Sequence, residues 1–465
     1  MAISGYSLLA STCSFAGLQV IWAIYFAHGT AHLLSLGFSK SASALTLMAG
    51  PVCGVIVQPY IGALSDTYRS SWGRRRPFII YGSMGVSICI NLLASLVHAH
   101  SSLMRWFQLE PTAATLVVKV FAALLVYALN ISFQPVQNGL RALMVEAHCA
   151  HEQTCVNIWT SYMIGAGNII GYFMGIPLGV KTLNWPPITG FQALCILGSI
   201  ILMLTTFVSC AFTKEYNESP GTELYPREGH PLSPLKYIFE ELRTLPDPIR
   251  RVCRVQFVAW FGWFPFLHFQ TLYVNEVYTG GALNTETRVE IGSLAGLLCA
   301  LVSLVSSAII PTFLDRTAQG GNEKGSGKQR LPKIVMIWRF GHIFFAAGMF
   351  STTIVTNWIQ AATLVALIGI PWSISSIVPY TMIGTEIATR RDLETIAEAE
   401  SSELPLGQAG SIMSIHNVAI SAPQILAAVM SSGVFWLCYL LGLPESTVWV
   451  LRLGGCAALG AAFML

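Results

Sequence analysis

The chain has 465 residues, of which 54% are hydrophobic and only 11% are charged, and its formal net charge is +3. A soluble domain typically carries about 25% charged residues, so this composition excludes a soluble globular protein and indicates an integral membrane protein. The eleven cysteines are an odd number and lie mostly in apolar runs, which excludes a disulfide framework. The stretch "EAHCAHEQTC" matches no zinc-binding spacing. We therefore expect no metal and no cofactor, and we expect no nucleic-acid partner.

Apolar segments long enough to cross a bilayer follow one another along the chain. A membrane-spanning helix needs roughly 20 predominantly apolar residues. Twelve segments meet this requirement: 7–29, 42–64, 77–98, 113–137, 160–180, 190–212, 253–275, 289–312, 334–355, 359–382, 409–432 and 446–464. The sequence therefore predicts an all-α membrane protein with twelve transmembrane helices.

The longest polar interruption divides these helices six and six. It predicts a first half over 1–212, a central loop over 213–252 and a second half over 253–465. Within the loop, the stretch "LKYIFEELRTL" is amphipathic. It either lies along the membrane face or belongs to a plain linker.

The distribution of basic residues predicts the orientation. Most of the 26 lysines and arginines fall after even-numbered segments. Five are assigned to the opposite side: Lys40, Arg105, Lys181, Arg288 and Arg452. Because cytosolic loops carry the excess of positive charge, we expect both termini in the cytosol. We also expect the plasma membrane rather than an internal membrane.

A cluster of charges interrupts the apolar pattern between the second and third segments, in "SDTYRSSWGRRRPF". An aspartate at the end of a helix, Asp66, precedes three consecutive arginines, Arg74, Arg75 and Arg76. These residues either form a latch that opens as the two halves move, or only anchor the loop at the cytosolic face. The ordered Gly-x-x-x-Asp and Gly-Arg-Arg-Arg elements favour the latch, and they resemble the loop signature of the major facilitator superfamily.

A weaker copy of this hairpin follows the eighth segment. There Asp315 and Arg316 precede a stretch rich in glycine, lysine and arginine. Two six-helix halves with repeated hairpins predict a pseudo-symmetric transporter that alternates access around a site near the midplane of the membrane.

Several further motifs narrow the resemblance. "GLQVIWAI", "SSWGRRRPFI", "RALMVE", "GNIIGY", "GWFPFLHFQT" and "HNVAISAPQ" are similar to stretches of the plant sucrose–proton symporters and their fungal and animal relatives. The chain most resembles a fungal member of this glycoside-transporting branch. The resemblance implies the major facilitator fold, a small glycoside such as sucrose or maltose as substrate, and a monomer in the lipid bilayer. It implies no enzymatic activity.

Polar side chains form a stripe along the fourth predicted helix. Asn130, Gln134, Gln137, Asn138 and Arg141 recur at helical spacing, and Pro135 interrupts the helix between them. An arginine in a membrane helix usually faces a partner or a water-filled cavity. We interpret this stripe as a substrate-binding face, although amides also join helices to one another.

Two other helices carry candidate binding residues. Trp263, His268 and Gln270 lie in the aromatic seventh helix, and Asn417 and Gln424 are two turns apart on the eleventh. Sugars stack their apolar faces on aromatic rings and bind their hydroxyl groups to amides. The aromatic residues also suit a lipid-facing surface, so this interpretation stays open for them.

The chain departs from the symporters where the resemblance implies proton-carrying aspartates. Asn130 and Gln270 occupy those positions, and Ser39 stands where the family has a histidine. An amide keeps the shape of a carboxylate but does not titrate. The remaining candidates for proton coupling are three acids at helix ends and three membrane histidines: Glu146, Glu276, Glu386, His268, His342 and His416.

Three hypotheses follow. The chain is a glycoside transporter with weak or altered proton coupling, an exporter of another small metabolite, or a transporter-like sensor that binds a sugar. Whether protons are a partner stays open at this point.

Overall fold

The structure is a computed structural model with side chains. It describes residues 5–68, 70–107, 110–148, 152–175, 189–213, 215, 243, 245–277, 285–315, 326–398, 409–443 and 446–465. Every regular element in these residues is an α-helix. The helices are α1 (Gly5–Ser35), α2 (Lys40–Leu47), α3 (Ala49–Thr67), α4 (Arg76–Phe107), α5 (Pro111–Ala147), α6 (Gln153–Met174), α7 (Gly190–Phe212), α8 (Asp247–Val277), α9 (Thr285–Asp315), α10 (Ser326–Ser351), α11 (Trp358–Leu367), α12 (Gly369–Glu398), α13 (Ala409–Leu440) and α14 (Ser446–Met464).

Two of the predicted spanning segments are each built from two helices. Met48 separates α2 from α3, and Ile368 separates α11 from α12. Side-chain caps begin the first helix of each pair. Ser39 Oγ accepts from the N–H of Ala42 at 3.1 Å, and Asn357 Oδ1 accepts from the N–H of Gln360 at 3.0 Å. Counting each pair once, the described helices form twelve segments.

Ten of these segments are long and apolar enough to span a membrane by length and composition. The other two are α6 and α8. They are less apolar because they bury polar and aromatic side chains inside the protein, including Asn168, His268 and Gln270. A helix enclosed by other helices does not need a uniformly apolar surface.

Several boundaries differ from the predicted ones: α5, for example, continues past 137 to Ala147, and α12 continues past 382 to Glu398. The fifth segment was predicted over 160–180, but α6 runs from Gln153 to Met174 and ends where the N–H of Gly175 bonds the carbonyl of Tyr172. The seventh segment was predicted over 253–275, but its helix, α8, begins at Asp247, inside the predicted central loop. Most of that loop, with its amphipathic stretch, lies outside the described residues, so the three-part division stays a prediction.

The apolar core is divided in two. One cluster of buried side chains draws mainly on α1–α7 and contains Phe133 and Leu202. The other draws mainly on α8–α14 and contains Trp263 and Trp338. Each set of six segments therefore packs largely around its own core, as two halves that move against each other require.

The halves meet along several pairs of helices, chiefly α3 with α13, α6 with α9, α2 with α13, α6 with α12 and α5 with α13. Glycines allow the close approach of α3 and α13. A Cβ atom on Gly54 would collide with the side chain of Ser421, and one on Gly62 would collide with that of Ser414. Between these contacts the helices enclose a central cavity.

Candidate functional site: a cavity between the two halves

The cavity has a volume of about 190 Å³, counted as the space that the centres of water molecules can occupy. One water needs roughly 10–15 Å³ by this measure, so the space is sufficient for a small organic ligand. Its polar and aromatic lining includes Gln19, Trp22, Tyr25, Phe26, Gln58, Asn130, Gln134, Gln137, Arg141, Trp260, Phe264, His268, Trp372, Ser375, Ser376, Tyr380, His416, Asn417, Ser421 and Gln424.

The predicted stripe on α5 forms much of the first half's wall. Asn130, Gln134, Gln137 and Arg141 all line the cavity. Asn130 Nδ2 donates to the carbonyl of Val126 at 2.8 Å, and Gln134 Nε2 donates to the carbonyl of Asn130 at 2.9 Å. Because these bonds use the amide N–H groups, Asn130 Oδ1 and Gln134 Oε1 remain buried without a partner among the described residues. Both oxygens suit a ligand that donates hydrogen bonds.

Two glutamines that sequence reasoning did not select complete this wall. Gln19 Nε2 donates to Asn168 Oδ1 at 2.9 Å, and this bond fixes the Gln19 side chain of α1 against α6. Gln58 on α3 is 3% exposed, and its Oε1 has no partner in the described part of the chain. Trp22 stacks on Phe133, with ring centroids 4.1 Å apart. The wall therefore combines amides with a rigid aromatic surface.

The second half contributes aromatic rings and two histidines. Trp260 and Trp372 contact each other edge to face at 6.2 Å, and the buried Nε1 of Trp260 has no acceptor among the described residues. His268 lies edge-on to Phe26 of the first half at 5.0 Å. An indole N–H beside an aromatic ring provides a donor and an apolar face together.

The two predicted residues of α13 also line the cavity. Asn417 Nδ2 donates to the carbonyl of Gly54 at 3.2 Å and to Ser421 Oγ at 3.1 Å. Gln424 Nε2 donates to the carbonyl of Ile420 at 3.1 Å. Asn417 therefore both joins the two halves and faces the cavity.

Trp263 and Gln270 do not belong to the lining, contrary to the sequence interpretation. The indole of Trp263 is 1% exposed and packs on Phe345 and Trp372 inside the second half's core. Gln270 Nε2 donates to the hydroxyl of Tyr172 at 3.2 Å, away from the cavity. The reason is helical geometry. Residues two apart on a helix, such as His268 and Gln270, point about 200° apart.

Arg141 is the only arginine, lysine, aspartate or glutamate among the lining residues that the structure describes. Its guanidinium carbon lies 3.5 Å from the centre of the Tyr380 ring and 5.8 Å from that of Phe15. His416 contacts the same tyrosine ring edge-on at 5.0 Å, and its buried Nε2 has no partner in the described chain. Asn138, also predicted in the stripe, instead accepts from Ser414 Oγ at 3.2 Å.

The three acids proposed for proton coupling lie outside the described cavity lining. Glu146 pairs with Arg74 at 3.0 Å and with Arg75 at 2.6 Å. Glu276 pairs with Lys40 at 2.6 Å. Glu386 is half-buried on α12. Carrying a proton through the cavity would require these groups to leave their places, so their role stays a prediction.

Three of the predicted latch residues, Arg74, Arg75 and Arg76, lie at the end of the first half that also holds Glu146, which we call the arginine-rich end. Arg75 is fully buried and donates to Glu146 and Ser65, and its N–H donates to Glu215. Arg76 donates to the carbonyl of Thr213 at 2.7 Å. Burial raises the pKa of Glu215, and the N–H of Arg75 acts in the opposite direction.

The partners named above all belong to the first half or to the residues that directly follow it. The cluster therefore braces that half in this conformation. These contacts do not join the two halves, so they do not form a latch between them. The side chains of Asp66 and Asp315, and all of Arg316, lie outside the described residues, so their part in a latch stays a prediction.

The arrangement suits a neutral ligand rich in hydroxyl groups. Unpaired amide oxygens, an indole N–H and a guanidinium provide acceptors and donors on both walls, and aromatic rings provide apolar faces. The described lining holds a cation and no carboxylate, which makes a cationic ligand unfavourable.

Comparison with known proteins identifies the family. A family model described as MFS/sugar transport protein matches residues 5–241. The chain belongs to this family. The prediction of a membrane transporter rather than an enzyme is therefore confirmed, as is the resemblance to the glycoside-transporting branch of the major facilitator superfamily.

Curated relatives extend over almost the whole chain. A general alpha-glucoside permease of Schizosaccharomyces pombe is 29% identical, over 99% of this chain and 93% of its own length. A sucrose transport protein of Arabidopsis thaliana is 25% identical over 89% of this chain and 81% of its length. A sucrose transport protein of Oryza sativa subsp. japonica is 25% identical over 91% and 81%.

Solved structures confirm the fold. A bacterial homologue of the iron transporter ferroportin, in an outward-facing state, matches with a TM-score of 0.60 at 15% identity, over 100% of this chain and 98% of that one. A human organic anion transporter matches with a TM-score of 0.61 at 14% identity, over 99% and 100%. At such identities the likeness shows the fold alone.

Proposed function

We propose that this protein moves a small α-glucoside or sucrose-like glycoside across the plasma membrane by alternating access, with both termini in the cytosol. The observation that carries the proposal is the cavity itself. It places unpaired amide oxygens and a guanidinium among aromatic rings at the interface of the two halves. The permease and sucrose transporters to which the chain is similar support a sugar as the ligand.

Alternating access is supported by where the halves touch. On the side of the cavity toward the arginine-rich end, Ser414 donates a hydrogen bond to Asn138, and the Tyr380 ring packs on the Arg141 guanidinium. At the opposite end, Lys40 bridges to Glu276. The ligand site lies between these two sets of contacts. Opening one set while the other stays closed would expose it to one side at a time.

We further propose that transport depends only weakly on protons. Asn130 and the other amides of the lining do not titrate, and the described lining contains no carboxylate. In the described lining, only His268 and His416 are of a residue type that ordinarily titrates near neutral pH. We expect the protein to act as a monomer.

Uptake of radiolabelled maltose and sucrose into cells lacking other sugar carriers tests this function. We expect uptake that follows the sugar gradient and changes little when a protonophore is added. Arg141→Lys should reach the membrane yet lose most of its uptake, because a point charge cannot replace a planar fork of donors. Near-normal uptake with lysine would remove Arg141 from the site.

The same experiment separates the competing hypotheses. An exporter of another metabolite would give no saturable uptake of either sugar. A sensor would bind maltose in detergent, measured by quenching of tryptophan fluorescence, without moving it. Sugar accumulation above the external concentration that a protonophore abolishes would contradict weak coupling and direct attention to the histidines and to Glu146, Glu276 and Glu386.

A further inference from the structure

The contact between Arg141 and Tyr380 joins the two halves at one edge of the cavity. Arg141 belongs to α5 of the first half, whereas Tyr380 belongs to α12 of the second. The guanidinium lies 3.5 Å from the ring centre, well inside the range of a cation–π interaction. Phe15 lies farther from the same guanidinium and belongs to the same half, so it cannot hold the halves together.

This contact lies on the cavity side of the seam toward the arginine-rich end. One turn earlier on α5, on the side away from Glu146, Asn138 accepts from Ser414 of α13. Gln153 and Asn157 at the start of α6 lie against Gly384 of α12. Of these three contacts, only the one between Arg141 and Tyr380 joins two residues that line the cavity, so a ligand can reach it directly.

The chemistry of the contact makes it exchangeable. A guanidinium has five N–H donors, and an aromatic ring satisfies its charge without accepting its hydrogen bonds. No described residue accepts a hydrogen bond from the Arg141 side chain. Sugar hydroxyl oxygens accept hydrogen bonds, so a bound sugar can form the bonds to Arg141 that the ring cannot form, and it can displace the ring. A carboxylate partner would hold the arginine far more strongly.

His416 holds the tyrosine ring in place. Its ring stands at 86° to that of Tyr380, with centroids 5.0 Å apart. His416 lies on α13, next to the residues that close the seam. The ring is therefore braced by its own half and presents its face to the other half.

We propose that Tyr380 is a positioning residue that couples substrate binding to opening. In the empty protein its ring holds Arg141 and keeps the cavity closed toward the arginine-rich end. A substrate hydroxyl takes the donors of Arg141, releases the ring and allows that end to open. This rests on the proposed function only for the identity of the ligand, because the latch itself requires no sugar.

Cysteine accessibility in the full-length protein tests the latch. Met413 lines the cavity on α13 and is 5% exposed, so Met413→Cys reports entry from the arginine-rich end. Cys155 and Cys456, the exposed cysteines among the described residues, are replaced by serine together with Cys149. A membrane-impermeant thiol reagent is applied to inside-out vesicles, with and without saturating maltose.

Without sugar, Tyr380→Leu should speed labelling by about 2- to 30-fold, the range expected for losing a cation–π contact. Tyr380→Phe keeps the ring and should restore slow labelling. Phe15→Leu removes the other ring near Arg141 and should leave the rate close to that of the parent. If Tyr380→Leu does not reach the membrane, Arg141→Met removes the cation instead and should give the same acceleration.

Maltose should speed labelling in the parent and add little in Tyr380→Leu. An unchanged rate in Tyr380→Leu without sugar would overturn the latch, as would an equal acceleration in Phe15→Leu. Acceleration by Tyr380→Leu with no effect of maltose or sucrose on the parent would support the latch and reject the glycoside, so the two failures are distinguishable.

Discussion

The two ends of the molecule use the same ion-pair chemistry for different purposes. At the arginine-rich end, the fully buried Arg75 binds Glu146, and both residues belong to the first half. At the opposite end, Lys40 of the first half binds Glu276 of the second, and Glu276 also accepts from the N–H of Thr447. The first pair braces one half, whereas the second joins the two halves.

Burial explains what each pair can do. Lys40 keeps 37% of its side chain exposed, so water can replace its partner when the halves separate. Arg75 has no exposed surface, and removing the Glu146 carboxylate would take an ion-pair partner from a buried charge. Between the two ends, Arg141 has an aromatic ring in place of a carboxylate. The exposed Lys40 pair and the cation–π contact of Arg141 can therefore break at low cost. The buried ion pair of Arg75 is costly to break.

The largest effect is expected from breaking the buried pair. Glu146→Gln removes a carboxylate that pairs with the buried Arg75, and breaking a buried ion pair typically costs about 3–5 kcal/mol. We expect a much lower thermal midpoint in detergent, measured by intrinsic fluorescence, and little protein in the membrane. Arg250→Gln is the matched control, because Arg250 and Asp247 form an exposed pair worth about 1 kcal/mol or less. Equal midpoints for the two variants would show that the pair does not brace the first half.

The sequence predicted the fold because its signals are local. Apolar runs of spanning length, the charge bias and the hairpin motif each depend on neighbouring residues. The polar stripe on α5 followed from the 3.6-residue repeat of a helix, and four of its five residues line the cavity, Asn138 being the exception.

The rest of the site depends on how helices approach one another. The aromatic run of α8 offers rings in every direction, and only packing selects Trp260, Phe264, Leu267 and His268 over Trp263. The selected residues do repeat at helical spacing, so anchoring the stripe on His268 would have found them. Nothing in the sequence indicates that Tyr380 covers Arg141, because two halves of the chain must first come together.

A carboxylate placed in the cavity lining, between the two ends, should give the cavity an acid beside a cation, as each end already has. Asn130→Asp adds an acid on the Arg141 face of α5, within three turns of the guanidinium, whose field favours the charged form. We expect sugar uptake to become severalfold more dependent on external pH between 5 and 8, with transport retained. Asn130→Ser removes the amide without adding an acid and should keep the weak pH dependence of the parent. An identical pH profile in the aspartate variant would exclude this face from any proton pathway.

Breaking the pair at the Lys40 end should change the conformation more than the stability. Glu276→Gln removes a partly exposed pair, so we expect a thermal midpoint close to that of the parent, with a loss of about 1 kcal/mol or less. The halves should separate more readily at that end. Leu267→Cys, which lines the cavity from α8, should then react faster with an impermeant thiol reagent applied from outside the cell. Lys40→Arg keeps the pair and should react like the parent. A large loss of stability without faster labelling would mean that this pair braces the fold, as the pair at the other end does.

The smallest effect is expected from Glu215, which touches the buried network of the arginine-rich end without neutralising it. Burial raises the pKa of its carboxyl, even though the N–H of Arg75 donates to it. A raised pKa means that the folded protein binds the proton more tightly than the unfolded chain does. The resulting stabilisation is present below the ordinary pKa of glutamate and is lost as the pH rises through the raised value. Glu215→Gln cannot titrate, so its thermal midpoint should fall less than that of the parent as the pH is raised from about 4.5 through this window. Midpoints that stay parallel across the pH range would show that Glu215 does not titrate with folding.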